Sequence, residues 1–254
     1  MKKGVPSRPQ PTGEYFLLYD TQGFGLAKRR YLQQAMEIVR DRVGDVLRRP
    51  DPIRFAMFGS ATVRNLEDAA DFLAHERPDQ ILNDRIAVVE RDAGRLARHK
   101  HFAEERGMMD VELVAGDMNT VALRPGSVDL LLIDYTMAFN VALTEAAALD
   151  APATDALYRA TINNAASVLA PHGALVLNAN IHPHDDRGDY LLRYDPEFNL
   201  YSTAIRDGHL QELLKEAGLD PGFGVEIPDI YWKPGKRMVV RHAEAVRASQ
   251  GSAA

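Results

Sequence analysis

The chain has 254 residues, 46% of them hydrophobic, enough for one large α/β domain with additions around an extensive core. Lys and Arg number 30 against 36 Asp and Glu, a net charge of -6, and the longest basic block is Lys28-Arg29-Arg30, so bulk charge gives no reason to expect nucleic acid as a partner. There is no cysteine, which excludes disulfides, thiolate zinc sites and a cysteine nucleophile; apolar runs such as Val128 to Ile133 are too short to span a bilayer, and with no signal-peptide core the expected location is cytoplasmic.

Residues 1–13, with three prolines and two glycines, read as a mobile arm. An aromatic segment, Glu14 to Asp20, follows, and Leu26 to Leu47 places Leu26, Tyr31, Ala35, Ile38, Val39, Val43, Val46 and Leu47 at helical spacing, so 14–51 forms an N-terminal helical cap closed by Arg49-Pro50-Asp51-Pro52. Ile53 to Phe58 reads as the first core strand and runs into Gly59-Ser60-Ala61-Thr62, a turn of small residues before a helix at about Asn65 to His75 with Glu67 and Asp68 in its first turn. Ile86 to Val89 is an unbroken apolar run, as expected of a strand buried on both faces, and it stops at Glu90. A helix at about Ala93 to Glu105, strands at Val111 to Val114 and Asp129 to Ile133, a helix at Ala156 to Leu169 and a strand at Ala174 to Leu177 follow, with an alanine-rich helix plus loop between Thr136 and Thr154. This alternation predicts a parallel, doubly wound sheet. Asn178 to Asn199 is polar and irregular. A helix over His209 to Ala217 and two strands, Gly222 to Tyr231 and Arg237 to Arg241, joined through Lys233-Pro234-Gly235-Lys236 as an antiparallel hairpin, complete a domain over 52–242, and 243–254 is a tail.

Glu90 carries the first functional signal. Ligands of open α/β sheets bind beyond the C-terminal tips of the strands, and a carboxylate there accepts both hydroxyls of a ribose through charge-assisted bonds. By itself Glu90 reads equally as a strand end facing water, and its surroundings decide.

Those surroundings resemble a class I S-adenosylmethionine-dependent methyltransferase. The resemblance covers about Pro52 to Asn180 and Thr203 to His242, and rests on three pieces: Ile86 to Leu96 with Glu90, Asp92 and Leu96; Val111-Glu112-Leu113-Val114-Ala115-Gly116-Asp117 with Gly126 to Leu132; and Ala166 to Leu177. It implies a Rossmann-like, mostly parallel seven-stranded sheet with an antiparallel C-terminal hairpin, and S-adenosylmethionine as cofactor. It also implies that Glu90, with Arg91 beside it, meets the cofactor's ribose, that Asp117 lies beside the adenine amino group and Met118 against the ring, and that Asp134 lies near the cofactor at the end of the fourth strand. Gly59, Ser60, Ala61 and Thr62 stand where the family has a Gly-x-Gly-x-Gly loop meeting the methionine part of the cofactor. Here the sequence departs from the pattern: only the first glycine is kept, Met57 replaces a common acidic residue, and Val63 makes a positive φ improbable at its position. Tyr19 and Tyr31 lie over the methionine part or pack under the sheet.

The acceptor site is expected from Asp134, Tyr135 and Met137, from Tyr19 in the aromatic N-terminal segment, and from a substrate lid at about 178–202 that includes Asn178 and Asp185. His182, His184, Asp185 and Asp186 form the only dense titratable cluster there, so His182 or His184 is the candidate general base, against a solvated loop or, as a minority reading, a divalent ion on His-x-His. The expected activity is methylation of a small-molecule acceptor at oxygen or nitrogen, with no metal, no nucleic acid and no membrane, and with homodimer formation left open. Its alternatives are a cofactor-binding regulatory or assembly protein without methyl transfer, and a methyltransferase of protein or RNA.

Overall fold

Four short apolar runs build the centre of the sheet. In the computed structural model, which describes residues 44–59, 63–80, 83–108, 110–120, 123–133, 151–182, 188–195, 200–221, 225–228 and 239–247, they are β1 (Arg54–Phe58), β2 (Arg85–Glu90), β4 (Val128–Ile133) and the middle of β5 (Leu169–His182). With β3 (Val111–Ala115) they pair in parallel in the order β3-β2-β1-β4-β5. Neighbouring residues on a strand face opposite ways, so a sheet covered on both sides needs apolar residues at every position. Phe55, Met57, Ile86, Val88, Leu130, Leu132 and Val176 join one buried cluster with Leu66 and Leu73 of α1 (Val63–Glu76). Ala56, Phe58, Ala87, Val89, Leu131, Ile133, Leu175 and Leu177 join the other, against Tyr158, Ile162 and Ala165 of α3 (Ala151–Val168). Full burial of each large aliphatic side chain contributes about 1.5–3 kcal/mol, which makes these layers the principal source of stability.

Beyond β5 the sheet turns antiparallel. β10 (Val239–Arg247) pairs with β5 over Ala174 to Ile181, and its far edge carries β8 (Leu219–Pro221) and then β9 (Val225–Pro228). The expected closing hairpin is therefore present as β9 and β10, while the 229–238 connection, with its Lys233 to Lys236 turn, lies outside the described residues.

The strand count differs from the expected seven: among the described residues ten strands join the sheet. One extra is β8, which shares its edge of β10 with β9. The other two are a hairpin, β6 (Tyr190–Asp195) with β7 (Leu200–Arg206), in the stretch read as irregular. β5 itself runs on to His182, because Leu177-Asn178-Ala179-Asn180-Ile181 keeps a strand alternation in which only the asparagines are polar. Helix limits also differ. α1 begins at Val63, so Glu67 and Asp68 fall after its first turn, and α3 begins at Ala151. α2 (Ala93–Glu105) has the expected bounds, and α4 (Asp207–Glu216) starts two residues early.

One buried ion pair anchors the start of the domain. Arg77, after α1, donates from Nε to Asp84 Oδ2 at 2.7 Å and from Nη2 to Asp84 Oδ1 at 3.1 Å, with both side chains at most 2% exposed. Its other donors reach the carbonyls of Leu47, Arg49 and Asp51 at 2.6, 2.7 and 2.8 Å. These carbonyls follow a helical turn over 44–47, so a single guanidinium satisfies acceptors that the chain's exit from that turn leaves open.

Candidate functional site

The loops after the first three strands are stitched together at the C-terminal edge of the sheet. Gly59 donates its N–H to Val89 O at 2.8 Å and Gly116 donates to Glu90 O at 3.2 Å. Gly59 has φ 68°, a left-handed conformation that a side chain disfavours, which accounts for the one glycine of the loop motif that the chain keeps. Ser60, Ala61 and Thr62 lie outside the described residues.

Glu90 is the last residue of β2, opposite Ala115 of β3, and only 3% exposed. It does not end its strand facing water. Its Oε1 accepts the N–H of Asp92 at 2.9 Å, and its Oε2 lies 3.7 Å from Arg95 Nη1. Asp92 in turn caps α2 by accepting the N–H of Arg95 at 2.9 Å. Burial pushes the Glu90 carboxyl above its ordinary value, and the Asp92 N–H and the Arg95 charge offset this only in part.

Asp117 stands two residues beyond the end of β3, at the adjoining tip. Its Oδ1 accepts the N–H of Asn119 at 2.8 Å, and its Oδ2 is 3.7 Å from Arg91 Nη1. The Met118 side chain is buried, and Asn164 and Thr161 of α3 hold this loop by bonding Met118 O at 2.8 Å and Asn119 Oδ1 at 2.5 Å. Glu90, Arg91, Asp117 and Met118 are thus brought together.

On the other side of the edge, β5 outlasts β4. Leu177 pairs with Ile133 at the end of β4, and His182 stands five residues further on, 1% exposed. Ile181 pairs with Val239 of β10 on one side and Ile205 of β7 on the other, so the β6–β7 hairpin occupies the edge of β5 that β4 has vacated. With β1 and β4 between them, β2 and β5 are about 14 Å apart at the usual strand spacing. Among the described residues, the Glu90–Asp117 pair and His182 therefore lie on opposite sides of β1 and β4. Asn178 pairs through its backbone with His242 of β10; Tyr19, Tyr31, Asp134, Tyr135, Met137, His184, Asp185 and Asp186 lie outside the described residues. Among the described residues no cluster of His, Asp and Glu is arranged to hold a metal ion, and no helix is long and apolar enough to cross a membrane.

One polar cluster escaped the sequence. Asp155 of α3 accepts the Tyr190 hydroxyl of β6 at 2.9 Å and meets His209 Nε2 of α4 at 2.7 Å, and it pairs with Arg159, which also reaches Glu216. Tyr190 packs edge-on against His209, 5.4 Å between centroids. The Asp155–Arg159 spacing of four was legible; the partners come from elements 35 and 54 residues away. The His209 Nδ1 faces Glu212 Oε2 at 3.3 Å, so carboxylates occupy both ring nitrogens and His209 fastens the hairpin rather than serving as a base.

No family model matches the chain, and no curated protein does. Solved structures do. The 1,6-didemethyltoxoflavin-N1-methyltransferase of Burkholderia thailandensis, solved with 1,6-didemethyltoxoflavin and S-adenosylhomocysteine bound, aligns with TM-score 0.58 and 15% identity over 97% of this chain and 93% of that one. A putative sarcosine dimethylglycine methyltransferase from Galdieria sulphuraria aligns with TM-score 0.56 and 12% identity over 88% and 86%, and an S-adenosylmethionine-dependent methyltransferase from Methanosarcina mazei with TM-score 0.56 and 12% identity over 78% and 94%. The chain has the class I methyltransferase fold. In this fold Glu90 and Asp117 stand at the C-terminal edge of the parallel strands, and the β6–β7 hairpin lies between β5 and α4 in the chain.

Proposed function

We propose that this chain binds S-adenosylmethionine and transfers its methyl group to an oxygen or nitrogen of a small-molecule acceptor. The observation that carries the reading is the pairing of two carboxylates, Glu90 and Asp117, at adjoining strand tips of a methyltransferase-fold sheet. The residues suit an adenosine. An ionised carboxylate offers about four acceptor positions, and with the backbone N–H groups of Asp92 and Arg91 facing Glu90 two remain for the ribose hydroxyls. Asp117 is one-third exposed and accepts from Asn119 through one oxygen, so the other is within reach of an exocyclic amine.

When bound, the cofactor supplies a methyl group on a sulfonium leaving group. The chain's part is to align an acceptor and to take up one proton. We assign the proton to His182, which ends β5 on the far side of β1 and β4 from Glu90, and the acceptor's wall to the expected lid at about 178–202, which the β6–β7 hairpin overlaps. Ser60 and Thr62 keep the role that the resemblance gives them, Tyr135, Met137 and Asp185 are assigned to the acceptor site, and His184 is the alternative to His182 as base. A small acceptor is favoured by the acidic balance of the chain and by the Burkholderia neighbour, whose structure holds 1,6-didemethyltoxoflavin.

Titration calorimetry with S-adenosylhomocysteine tests the cofactor assignment. Glu90→Ala removes hydrogen bonds to a charged group worth about 1.5–3 kcal/mol, so affinity is expected to fall roughly tenfold or more. Unchanged affinity refutes the ribose assignment. A second reading, a cofactor-binding protein without transfer, is favoured by one observation, the loop that keeps only Gly59 of its glycines. Formation of S-adenosylhomocysteine with any member of a small-molecule acceptor panel excludes it.

A further inference from the structure

Glu90 sits where a carboxylate tends to lose its charge. It is 3% exposed, and burial acts against the ionised form. A protonated Glu90 would accept one ribose hydroxyl poorly and offer a donor to the other, giving up the charge-assisted bonds on which nucleoside binding depends. Something must therefore hold it ionised. The groups facing it from its own turn are the N–H groups of Asp92 and Arg91, the Asp92 carboxylate, whose charge opposes ionisation, and the Arg95 guanidinium. Among the described residues of the adjoining loops, Gly116 donates its N–H to the Glu90 carbonyl, Gly59 donates to Val89 O, and Asp117 at the next tip faces Arg91. Arg95 is thus the one guanidinium paired with Glu90 among the described residues.

The Arg95 side chain is 14% exposed and Glu90's is 4% exposed, so water and salt screen their attraction far less than that of a surface pair. The backbone of Arg95 is also fixed, because its N–H is the one that Asp92 caps. Arg95 therefore reaches back from the first turn of α2 to the oxygen that the Asp92 N–H leaves unbound.

We propose that Arg95 is a positioning residue for the cofactor's ribose: it keeps Glu90 charged and holds it in one orientation between the Asp92 N–H and its own guanidinium. The inference rests on the assignment of Glu90 to the ribose and adds the residue that makes this assignment workable in a dry site. It also gives the spacing Glu90-x-Asp92-x-x-Arg95 a physical meaning, as ribose acceptor, helix cap and counter-charge.

The test is calorimetric titration of S-adenosylhomocysteine into the full chain between about pH 5 and pH 8, comparing wild type, Arg95→Met, Arg95→Lys and Glu90→Gln, since one unit of pKa corresponds to a tenfold change in the charged fraction. Arg95→Met keeps the apolar stem and removes the charge. It is expected to move the acid decline of affinity to higher pH by about one unit and to weaken binding several-fold within that decline, and Arg95→Lys is expected to restore most of both. Glu90→Gln is expected to bind weakly and without pH dependence. If Arg95→Met does not fold, Arg95→Gln carries the same prediction. An affinity profile of Arg95→Met that overlays wild type, while Glu90→Gln binds weakly, overturns the role of Arg95. If Glu90→Gln binds as wild type does, the ribose assignment falls, and this inference with it.

Discussion

Replacing Arg77 by Met should be among the most destabilising changes in the chain without touching the strand tip that carries Glu90. The substitution leaves Asp84, whose side chain is 0% exposed, with the Ile53 N–H at 2.9 Å as its remaining partner, and it removes the donors from the carbonyls of Leu47, Arg49 and Asp51. Breaking a buried pair by removing one partner costs about 3–5 kcal/mol, a large share of the 5–15 kcal/mol that typically holds a domain together. At about 2–4 °C per kcal/mol for a chain of this size, the melting temperature should fall by roughly 6–20 °C. Circular dichroism with thermal and urea unfolding measures it. The double variant Arg77→Met/Asp84→Leu should recover a substantial part of the loss, since no charge is then left buried. Ile53 and Asp84 stand at the opposite ends of β1 and β2 from Gly59 and Glu90, so the folded fraction should bind S-adenosylhomocysteine as wild type does. A loss under about 1 kcal/mol, the range of a surface pair, would refute the account of this network.

Gly59→Ala places a Cβ at φ 68°, which should cost about 1–2 kcal/mol in differential scanning calorimetry and weaken cofactor binding by displacing the loop; equal stability would show that the turn relaxes freely. Burial raises the Asp155 carboxyl, but hydrogen bonds from Arg159, His209 and Tyr190 outweigh it and hold the group below the ordinary carboxylate value of 3.8. Its contribution is therefore present above that pH and lost as pH falls below it, so amide exchange in the β6–β7 hairpin should rise on acidification only there, and should already be raised at neutral pH in Asp155→Ala. Exchange that is the same in Asp155→Ala and wild type would contradict the clasp. Glu90 has the opposite sign. Its carboxyl is raised above 4.5, so in the free protein its contribution to folding is complete below that value and declines as pH rises through the folded one, whereas cofactor affinity is full above the folded value and declines below it. Stability and affinity measured on one preparation from acid to neutral pH should therefore move in opposite directions, a pattern that Glu90→Gln should abolish.

The sheet was largely legible because burial on both faces imposes a simple rule. Ile86 to Val89 and Leu130 to Ile133 have no polar position, and such runs fit the centre of a parallel sheet. The end of the run at Glu90 then marks a strand tip, whereas Asp117 was named only through the resemblance to the methyltransferases. The β6–β7 hairpin was not legible: Tyr190 to Asp195 mixes apolar and charged residues, and its register is fixed by β7 and by the clasp of Asp155 with Tyr190, a contact 35 residues apart in sequence. The strand past Leu177 was hidden for a related reason, since its asparagines suggest a loop until β10 and β7 flank it. Arg95 was missed because it is one arginine among several on α2, and only the fold shows which of them turns back to Glu90.

A crystal structure of the chain with S-adenosylhomocysteine tests the central claim most directly. The account predicts both ribose hydroxyls within about 2.5–3.0 Å of the Glu90 carboxylate and the adenine amine within hydrogen-bond reach of Asp117. A nucleoside bound elsewhere, or lying over the tips of β2 and β3 without touching either carboxylate, would contradict it.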